Sequence, residues 1–514
     1  MGVLNTTKRG IELARMAWEA RKLGEKYSEA EQALARRHLV NLFKQARGVT
    51  MKVGQLFANS ESDSDFNELV DNIEPLPLEM ITPIVERALG KKLHDVFLSF
   101  DPSTAAASLG QVHRAVLLDG SEVAVKVRYP DIADAVEAEM ELAGLMPKAG
   151  PIKKWGIDYS AYLKTLKQNM DQELNYLDEA RRQEEYRQSV LVEGLRIPKV
   201  YMELCRENIL VQSWEEGVRI DALQSWSVQD RQLAGAILLQ TLLYSLFEVG
   251  LVHGDPHMGN YKFNIVNGEP VVVLMDFGCT IEVEESARLS LLQLIIATRE
   301  NTNVSALASF SAMGFEAEKL THINSALPML CHILFRPFLA ADRFRVVDWR
   351  IKSDIEKLLN EKKWWFRSAG PSHLLLLLRA FQGLAEQLAT LKSFLPWWQA
   401  LIHTVGEKTL TQARSFVLPT IDQELENRSV VSTLATTLHV AVYENNAKKA
   451  SVEMPAEVVL DLKTLMPEDV LAQLESAPDI DLDAILKQVI ESGIAPQRVF
   501  DYSVGNKSYQ VWLT

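Results

Sequence analysis

The sequence has little cysteine. Its 514 residues contain only Cys205, Cys279 and Cys331, and these lack the paired spacing of a disulfide framework. This favours a reducing compartment. The first residues also lack the apolar segment of a secretory signal peptide. We therefore expect a cytoplasmic protein, either free or peripheral to a membrane.

The chain also lacks an excess of positive charge, with 54 Lys and Arg against 68 Asp and Glu. The formal net charge is -14, whereas a nucleic-acid partner would require a basic face, so no such partner is expected. The first 50 residues differ, with ten Lys and Arg against five Glu. A basic helical segment of this kind favours contact with an anionic membrane surface, and a solvated helix face is the alternative.

Long apolar runs are almost absent. The segment from Leu233 to Val252 is long enough to span a bilayer, but it contains Gln240 and Glu248 and leads directly into a polar loop. The run from Leu374 to Leu378 consists of leucine alone, but Arg379 ends it after five residues. We predict that both segments are buried core helices.

The order of patterns predicts a mixed fold. Strand-like alternation is concentrated between about residues 95 and 280, and helical patterns dominate on either side, with one strand at the end of an acidic tail. The Asp119-Gly120 and Asn267-Gly268 pairs are typical of β-hairpin turns. An Ala/Ser/Gly-rich turn is predicted for residues 105–111. At this length, two or more lobes are expected.

One short stretch, LVHGDPHMGNYKFN at residues 251–264, concentrates polar chemistry. It contains His253, Asp255 and Asn260, and a hydrophobic strand then leads to a DFG tripeptide that begins at Asp276. This order matches the phosphoryl-transfer template, in which one Asp orients the acceptor, an Asn helps to hold Mg²⁺ and a second Asp binds metal beside the phosphates. Either motif alone would be weak evidence, whereas the pair at this spacing is specific.

A zinc site is a weaker interpretation of the same stretch. His253 and His257 are four residues apart, as two ligands on one helix face would be. Pro256 lies between them and opposes the helix that such a site requires. A satisfied histidine in a turn is the simpler alternative to a metal ligand.

A lysine upstream completes the phosphate-binding set. The VAVK run ends at Lys126 and is similar to the kinase strand that delivers a phosphate-binding lysine. Such a lysine needs a carboxylate to orient it. Glu179 in ELNYLDEA is the predicted partner, and Glu173 on the same polar segment is the competitor.

Together these motifs resemble the ABC1/UbiB/AarF atypical kinases, which include the coenzyme-Q kinase-like proteins. MKVGQ, AAASLGQVHRA, VAVKVRYP, ELNYLDEA, HGDPHMGN and DFG occur in order over about residues 40–285. The resemblance implies an α+β, two-lobed protein-kinase-like fold. It divides the chain into a helical extension (1–90), an N-lobe with a helical insert (91–217), a mostly helical C-lobe (218–420) and an acidic extension (421–514).

The resemblance also assigns binding residues. An Ala-rich loop replaces the usual Gly-rich phosphate loop, and its backbone N–H groups can still point at phosphates. The hinge that would hold adenine is placed by position alone. These predicted nucleotide contacts are, for the loop, Ala105, Ala106, Ala107, Ser108, Gly110 and Gln111, and, for the hinge, Ser213, Trp214 and Glu215.

The family's Lys-x-Gly-Gln motif falls on Lys52, Gly54 and Gln55, on a helix that would fold over the cleft and meet the Glu-x-Asp motif. Here that second motif starts at Glu173 but ends in Asn175, which supplies no charge. The predicted catalytic residues are thus Asp255, Lys126 and Lys52, and the predicted metal ligands are Asn260, Asp276 and Glu173.

The implied function is an ATP-binding, Mg²⁺-dependent kinase or ATPase that supports prenyl-lipid (ubiquinone) biosynthesis. Its implied partners are ATP, prenyl lipids or an anionic membrane, and other lipid-biosynthesis proteins. A small-molecule phosphotransferase of the aminoglycoside or choline kinase type shares the H-G-D-x-H-x-x-N wording but lacks MKVGQ and the Ala-rich loop. A nucleotide-gated lipid- or protein-binding module with negligible turnover is the third hypothesis.

Overall fold

The computed structural model describes residues 75–107, 109–130, 132, 159–371, 374–421, 435–445, 447–466, 468–475, 481–492, 494–504 and 506–514. Lys52, Ser108 and most of the predicted extension 1–90 lie outside these residues. Strands and helices are numbered below along the described chain.

The first lobe is built on a four-stranded antiparallel sheet in the order β1-β2-β3-β5. Helix α1, Leu78–Leu89, packs its buried Ile81, Val85 and Leu89 into the same core as the sheet. Because side chains alternate along a strand, Val125 and Val127 face this core while Lys126 faces the opposite side. The strands are β1, Phe97–Ala107, β2, Gly110–Leu117, β3, Glu122–Arg128, and β5, Ile209–Ser213.

Both hairpins predicted from turn residues are confirmed. Strands β2 and β3 pair across a turn in which Gly120 has a φ of +87° and Asp119 Oδ1 accepts from Ser121 N at 2.9 Å. Strands β7, Tyr261–Val266, and β8, Glu269–Leu274, pair across Asn267 and Gly268, both with positive φ. Local turn chemistry was sufficient in both places.

Two consecutive helices follow β3 in the described chain, and the second packs against the first sheet. Helix α2, Tyr159–Leu174, ends one residue before α3, Tyr176–Ser189, and Asn175 between them has extended backbone. The Asn175 side chain caps α3, because its Oδ1 accepts from Leu177 N at 3.1 Å and from Asp178 N at 3.3 Å. Helix α3 thereby begins at a fixed point and carries Glu179 inward.

The second lobe surrounds the predicted core helix. Helix α4, Val228–Tyr244, continues into a π-helical turn, Ser245–Val249. Among the described helices, the segment Val228–Val249 is long and apolar enough to cross a membrane by length and composition, yet it is mostly buried inside the protein. Its buried apolar residues belong to the large core of this lobe, as the sequence predicted.

Short strands follow α4 and carry the polar loops. β6, Leu251–His253, pairs with β9, Thr280–Glu282, and β8 lies between β7 and the two-residue β4, Leu195–Arg196. The loop from 254 to 260 therefore leaves β6 and enters β7, and the DFG segment joins β8 to β9. The two loops begin and end on paired strands, which brings them together.

The rest of the second lobe is helical, apart from the short pair β10, Phe344–Arg345, and β11, Phe394–Leu395. Its helices are α5, Glu285–Glu300, α6, Ala306–Ala312, α7, Ala317–Leu320, α8, Leu327–Leu339, α9, Ile351–Leu359, α10, Lys363–Ala369, α11, Leu374–Thr390, α12, Trp397–Thr404, and α13, Glu407–Arg414.

The prediction of a helical tail with a single terminal strand is wrong. Residues 437–513 contain a four-stranded antiparallel sheet in the order β13-β12-β15-β14, with three short helices, α14 to α16. One face of the sheet, including Leu438, Val511 and Leu513, joins the core of the helical lobe. The strands are β12, Thr437–Glu444, β13, Ala447–Pro455, β14, Gln497–Val504, and β15, Lys507–Leu513, and the helices are Leu462–Leu465, Glu468–Glu475 and Leu482–Glu491.

The fold is thus α+β and two-lobed, with a small lobe on an antiparallel sheet and a larger, mostly helical lobe, as in protein kinases. The β3 lysine, helix α3 and the two polar loops meet between them.

Candidate active site

A buried ion pair links β3 to helix α3. Lys126 Nζ donates to Glu179 Oε1 at 2.9 Å and to Oε2 at 3.1 Å, and the two side chains are only 12% and 2% exposed. Glu173, the competitor proposed from the sequence, is buried elsewhere beside the DFG segment. The structure therefore orients the Lys126 ammonium with Glu179.

Asp276 is the second carboxylate at this lysine. Its Oδ2 lies 3.2 Å from Lys126 Nζ. Burial would lower the pKa of Lys126, but the negative charges of Asp276 and Glu179 outweigh it and hold that pKa above its ordinary value. The lysine therefore stays cationic between two carboxyl groups.

The DFG segment is locked in an unusual backbone geometry. Asp276 has a φ of +62°, which costs energy for a non-glycine residue unless neighbours impose it. Here its Oδ1 accepts from Gly278 N at 3.2 Å, and its carbonyl bonds His253 Nε2 at 2.7 Å. The Phe277 ring is fully buried and packs edge-on against the His253 ring, with centroids 5.2 Å apart.

His253 and His257 thus have structural contacts. His253 supports the DFG backbone, and His257 Nδ1 accepts from Gly259 N at 3.1 Å within its own loop. In the parts of the chain that the structure describes, no group of three or more His, Cys, Asp or Glu side chains is placed to hold a metal. The zinc interpretation gains no support from this geometry.

The loop after β6 presents a carboxylate held on both oxygens. Asn260 Nδ2 donates to Asp255 Oδ2 at 3.0 Å and to the Asp255 carbonyl at 3.1 Å. Arg379 reaches the other carboxylate oxygen, Oδ1, at 2.8 Å. Asn260 O also accepts from Met275 N at 2.9 Å, which ties this loop to the DFG segment.

Glu173 and Asp276 flank the same glycine. A Cβ atom at Gly278 would lie 2.9 Å from the Glu173 carboxyl group and 3.2 Å from Asp276 Oδ1, so a side chain there would collide with both. Arg182, which the sequence did not single out, donates to the carbonyls of Phe277 at 3.1 Å and Gly278 at 3.3 Å. This arginine fixes the segment between the two carboxylates.

The predicted Ala-rich turn is shorter than expected. Ala105, Ala106 and Ala107 belong to β1 and pair with Val112, Gln111 and Gly110, so most of the predicted turn is paired strand. The small side chains of residues 105–107 suggested a loop, but the pairing between β1 and β2 continues through them. The site of the predicted phosphate loop is therefore the tip of a β-hairpin.

Two features fix that hairpin tip. A Cβ at Gly110 would lie 2.3 Å from the Val127 carbonyl oxygen and 2.7 Å from the Tyr176 hydroxyl, which only glycine avoids. The buried Gln111 side chain exchanges two hydrogen bonds with the Leu76 backbone, at 2.8 and 3.0 Å. Gln111 thus anchors β2 to the segment before α1, and a contact between its side chain and nucleotide remains only a prediction.

The predicted hinge is the end of β5. Ser213 N donates to Lys199 O at 2.8 Å, and Trp214 N donates to Glu122 O at 3.0 Å, so both amides are used within the lobe. Lys262 Nζ donates to Glu215 O at 2.8 Å. Adenine binding by Ser213–Glu215 therefore stays a prediction that rests on position.

The structure brings together most of the residues chosen from motifs, but not all can be placed. Lys126, Glu179, Glu173, Asp255, Asn260 and Asp276 converge through the contacts above. Lys52 and Ser108 lie outside the described residues. Sequence reasoning missed Arg182 and Arg379, whose partners are 95 and 124 residues away along the chain. No local pattern marks such contacts.

Comparison with known proteins agrees with the motif-based resemblance. The family model of the ABC1 atypical kinase-like domain matches residues 68–309. The chain is 30% identical over 308 residues to the Arabidopsis thaliana protein ACTIVITY OF BC1 COMPLEX KINASE 1, chloroplastic, covering 57% of this chain and 45% of the relative. It is 28% identical over 243 residues to the atypical kinase COQ8B, mitochondrial, of Rattus norvegicus, covering 46% of each.

The extent of these matches is limited. The chain spans about half the length of the curated relatives it matches. Among solved structures, that of Rv3197 with erythromycin from Mycobacterium tuberculosis covers 72% of this chain and 95% of its own, with 23% identity and a TM-score of 0.49.

Proposed function

We propose that the protein is an ATP-binding, Mg²⁺-dependent atypical kinase or ATPase, because residues 68–309 match the family model of the ABC1 atypical kinase-like domain. The observation that carries the proposal is the bridge from Lys126 to both Glu179 and Asp276. The Lys126 ammonium thereby links β3, α3 and the DFG segment. Such a constellation suits a triphosphate, which must be neutralised and held in one orientation.

Each residue then has a chemical role. Lys126 would bind phosphate oxygens while Glu179 keeps its ammonium aimed at them. Asp255 would orient or accept the proton of the attacking group, since a general base must lie within hydrogen-bond reach of that proton. Asn260 holds the Asp255 carboxylate by one oxygen and Arg379 by the other, so the base is preorganised.

The oxygen donors at the DFG segment fit Mg²⁺. Asp276 and Glu173 supply carboxylates beside Gly278, and Asn260 supplies an amide oxygen nearby on the linked loop. Mg²⁺ in nucleotide sites uses one or two carboxylates together with substrate phosphates and water, so a cluster of three protein ligands is not required. Bound there, the metal would neutralise charge on the transferred phosphoryl group.

We further propose that this activity supports prenyl-lipid (ubiquinone) biosynthesis at a membrane surface in the cytoplasm. Support comes from the motif resemblance and the similarity to COQ8B. The basic character of the first 50 residues is consistent with an anionic surface as partner. Prenyl lipids and lipid-biosynthesis proteins are the partners that such a role implies.

Replacement of Asp276 by Asn tests the nucleotide site. The variant should lose Mg-ATP binding, because it removes the charge that would hold metal against the phosphates and weakens the restraint on Lys126. The thermal shift caused by Mg-ATP and the rate of ATP hydrolysis are the measurements. Asp95→Asn, at an exposed position of the first lobe, is the matched control. An equal Mg-ATP shift in wild type and Asp276→Asn would contradict the proposal.

A further inference from the structure

We infer that helix α11, Leu374–Thr390, belongs to the catalytic apparatus and that its Arg379 is the positioning residue of Asp255. This inference rests on the proposed phosphoryl-transfer function and extends it to a residue outside the matched span 68–309. The claim concerns which part of the chain holds the base in place.

Two side chains fix the plane of the Asp255 carboxylate. Arg379 donates to Oδ1 at 2.8 Å, and Asn260 donates to Oδ2 at 3.0 Å. A carboxylate held by a single donor can still rotate about its last side-chain bond, whereas donors on both oxygens remove that freedom. Asn260 belongs to the same loop as Asp255, whereas Arg379 ties the carboxylate to a different element, helix α11.

Helix α11 contacts the loop along one face. Arg379, Gly383 and Gln387 follow at intervals of four, which places them on the same side of a helix. Gln387 Nε2 donates to Pro256 O at 3.1 Å. A Cβ at Gly383 would lie 2.1 Å from the Pro256 Cβ, so the helix approaches the loop as closely as only glycine permits.

The setting of the Arg379–Asp255 pair favours a persistent contact. The two side chains are 26% and 13% exposed, so water screens them less than it screens a surface ion pair. Arg379 also donates through a rigid guanidinium, which holds a carboxylate oxygen in a defined direction. The pair therefore fixes both the position and the orientation of Asp255 relative to helix α11.

A purely architectural salt bridge is the competing explanation. In that case loss of Arg379 would lower stability, and any loss of turnover would follow the loss of folded protein. A positioning role predicts a different pattern. Turnover of the folded protein falls while Mg-ATP affinity is kept, because Arg379 contacts Asp255 and none of the phosphate- or metal-binding candidates in the described contacts.

The decisive comparison uses Arg379→Gln, Arg379→Lys and the matched control Arg367→Gln, which removes an exposed arginine from the neighbouring helix α10. We expect Arg379→Gln to lower kcat for ATP hydrolysis by about 10- to 100-fold, the scale set by a small misplacement of a reacting group. Mg-ATP affinity should stay unchanged, Arg379→Lys should recover part of the rate, and the control should match wild type.

A second readout separates this inference from the proposed function. Hydrogen exchange of peptides covering residues 251–262 should rise in Arg379→Gln and in Gly383→Ala, but not in Arg367→Gln. If the wild type binds Mg-ATP without hydrolysing it, the proposed turnover is wrong and exchange alone decides the positioning role. If Arg379→Gln does not fold, Arg379→Lys and Gly383→Ala decide it. Wild-type kcat and exchange in the Arg379 and Gly383 variants would overturn the inference.

Discussion

At the scale of single residues, the buried Glu179 gives the site a dependence on pH. Burial raises the pKa of Glu179 to about 7, against the opposing pull of Lys126. When the pKa of a carboxyl group is higher in the folded than in the unfolded chain, the group contributes its full stabilisation at pH values below the unfolded pKa. That contribution is lost as the pH rises from about 4.3, the unfolded value, through the folded value.

We therefore predict that the stability of wild type relative to Glu179→Gln falls as the pH rises from 5 to 8, because only the wild type must bury a charge there. Denaturant midpoints of the two proteins across that range measure the difference. Glu184→Gln on the same helix is the control, since the Arg187 hydrogen bond lowers the pKa of Glu184. The contribution of Glu184 is complete above the unfolded pKa of about 4.3, so the difference between wild type and Glu184→Gln should stay nearly constant from pH 5 to 8. A difference between wild type and Glu179→Gln that is constant with pH would contradict the assignment.

The motifs identified site residues only where a local sequence pattern and its distance from the next motif point to them. Lys126 lies within a strand, and Asp255 and Asp276 each follow one at an expected spacing, so the sequence alone could suggest that they meet. Arg379 and Arg182 could not be found in this way. Each acts through a contact between distant elements, and in the sequence Arg379 is only the residue that ends a leucine run.

At the scale of elements, Asn175 accounts for the departure from the family's Glu-x-Asp pattern. Its Oδ1 caps helix α3, and its Nδ2 donates to Asp178 Oδ2 at 2.7 Å. An aspartate at this position would face the Asp178 carboxylate without a proton to share. The amide therefore suits the local sequence as a helix cap rather than as a missing charge in the site.

Loss of this cap should destabilise the element that carries Glu179. We predict that Asn175→Ala lowers the free energy of unfolding by about 1 kcal/mol, the usual effect of losing an N-cap. Asn175→Ser should restore most of it, because a hydroxyl can accept the same backbone bonds. Urea titration of the three proteins measures the effect. Equal stability of wild type and Asn175→Ala would show that the cap contributes nothing measurable.

Elements were predictable where turns and periodicity agree. Both hairpins followed from Asp-Gly and Asn-Gly pairs, and the apolar α4 was recognised as a core helix because polar residues interrupt it. The sheet at 437–513 was missed although TLHVAVYE alternates with period two. This strand, β12, pairs with β13 directly after it and with β15, which lies more than 50 residues further along the chain. The acidic segments before β14 favoured a helical interpretation.

At the scale of the whole molecule, the candidate site and the proposed membrane contact involve different parts of the chain. The candidate site combines a loop and DFG segment of the second lobe with β3 and α3 of the first, and α11 supports it from beyond residue 309. The basic segment 1–50 lies outside the described residues. The remainder is strongly acidic, so the proposed contact with an anionic surface would depend on that first segment.

We predict that the protein binds vesicles containing anionic lipid at low salt through residues 1–50, because ten basic residues there outnumber five acidic ones and each basic residue near such a surface adds about 1 kcal/mol. Binding should weaken as salt rises, since the Debye length falls from about 30 Å at 0.01 M to about 8 Å at 0.15 M. Co-sedimentation with anionic and neutral vesicles measures this binding.

The double variant Arg36→Gln and Arg37→Gln should reduce binding, whereas the same loss of two charges at the exposed Lys448 and Lys449 of β13 should not. Equal binding by both double variants, or binding that ignores salt, would mean that the first segment does not direct the protein to membranes.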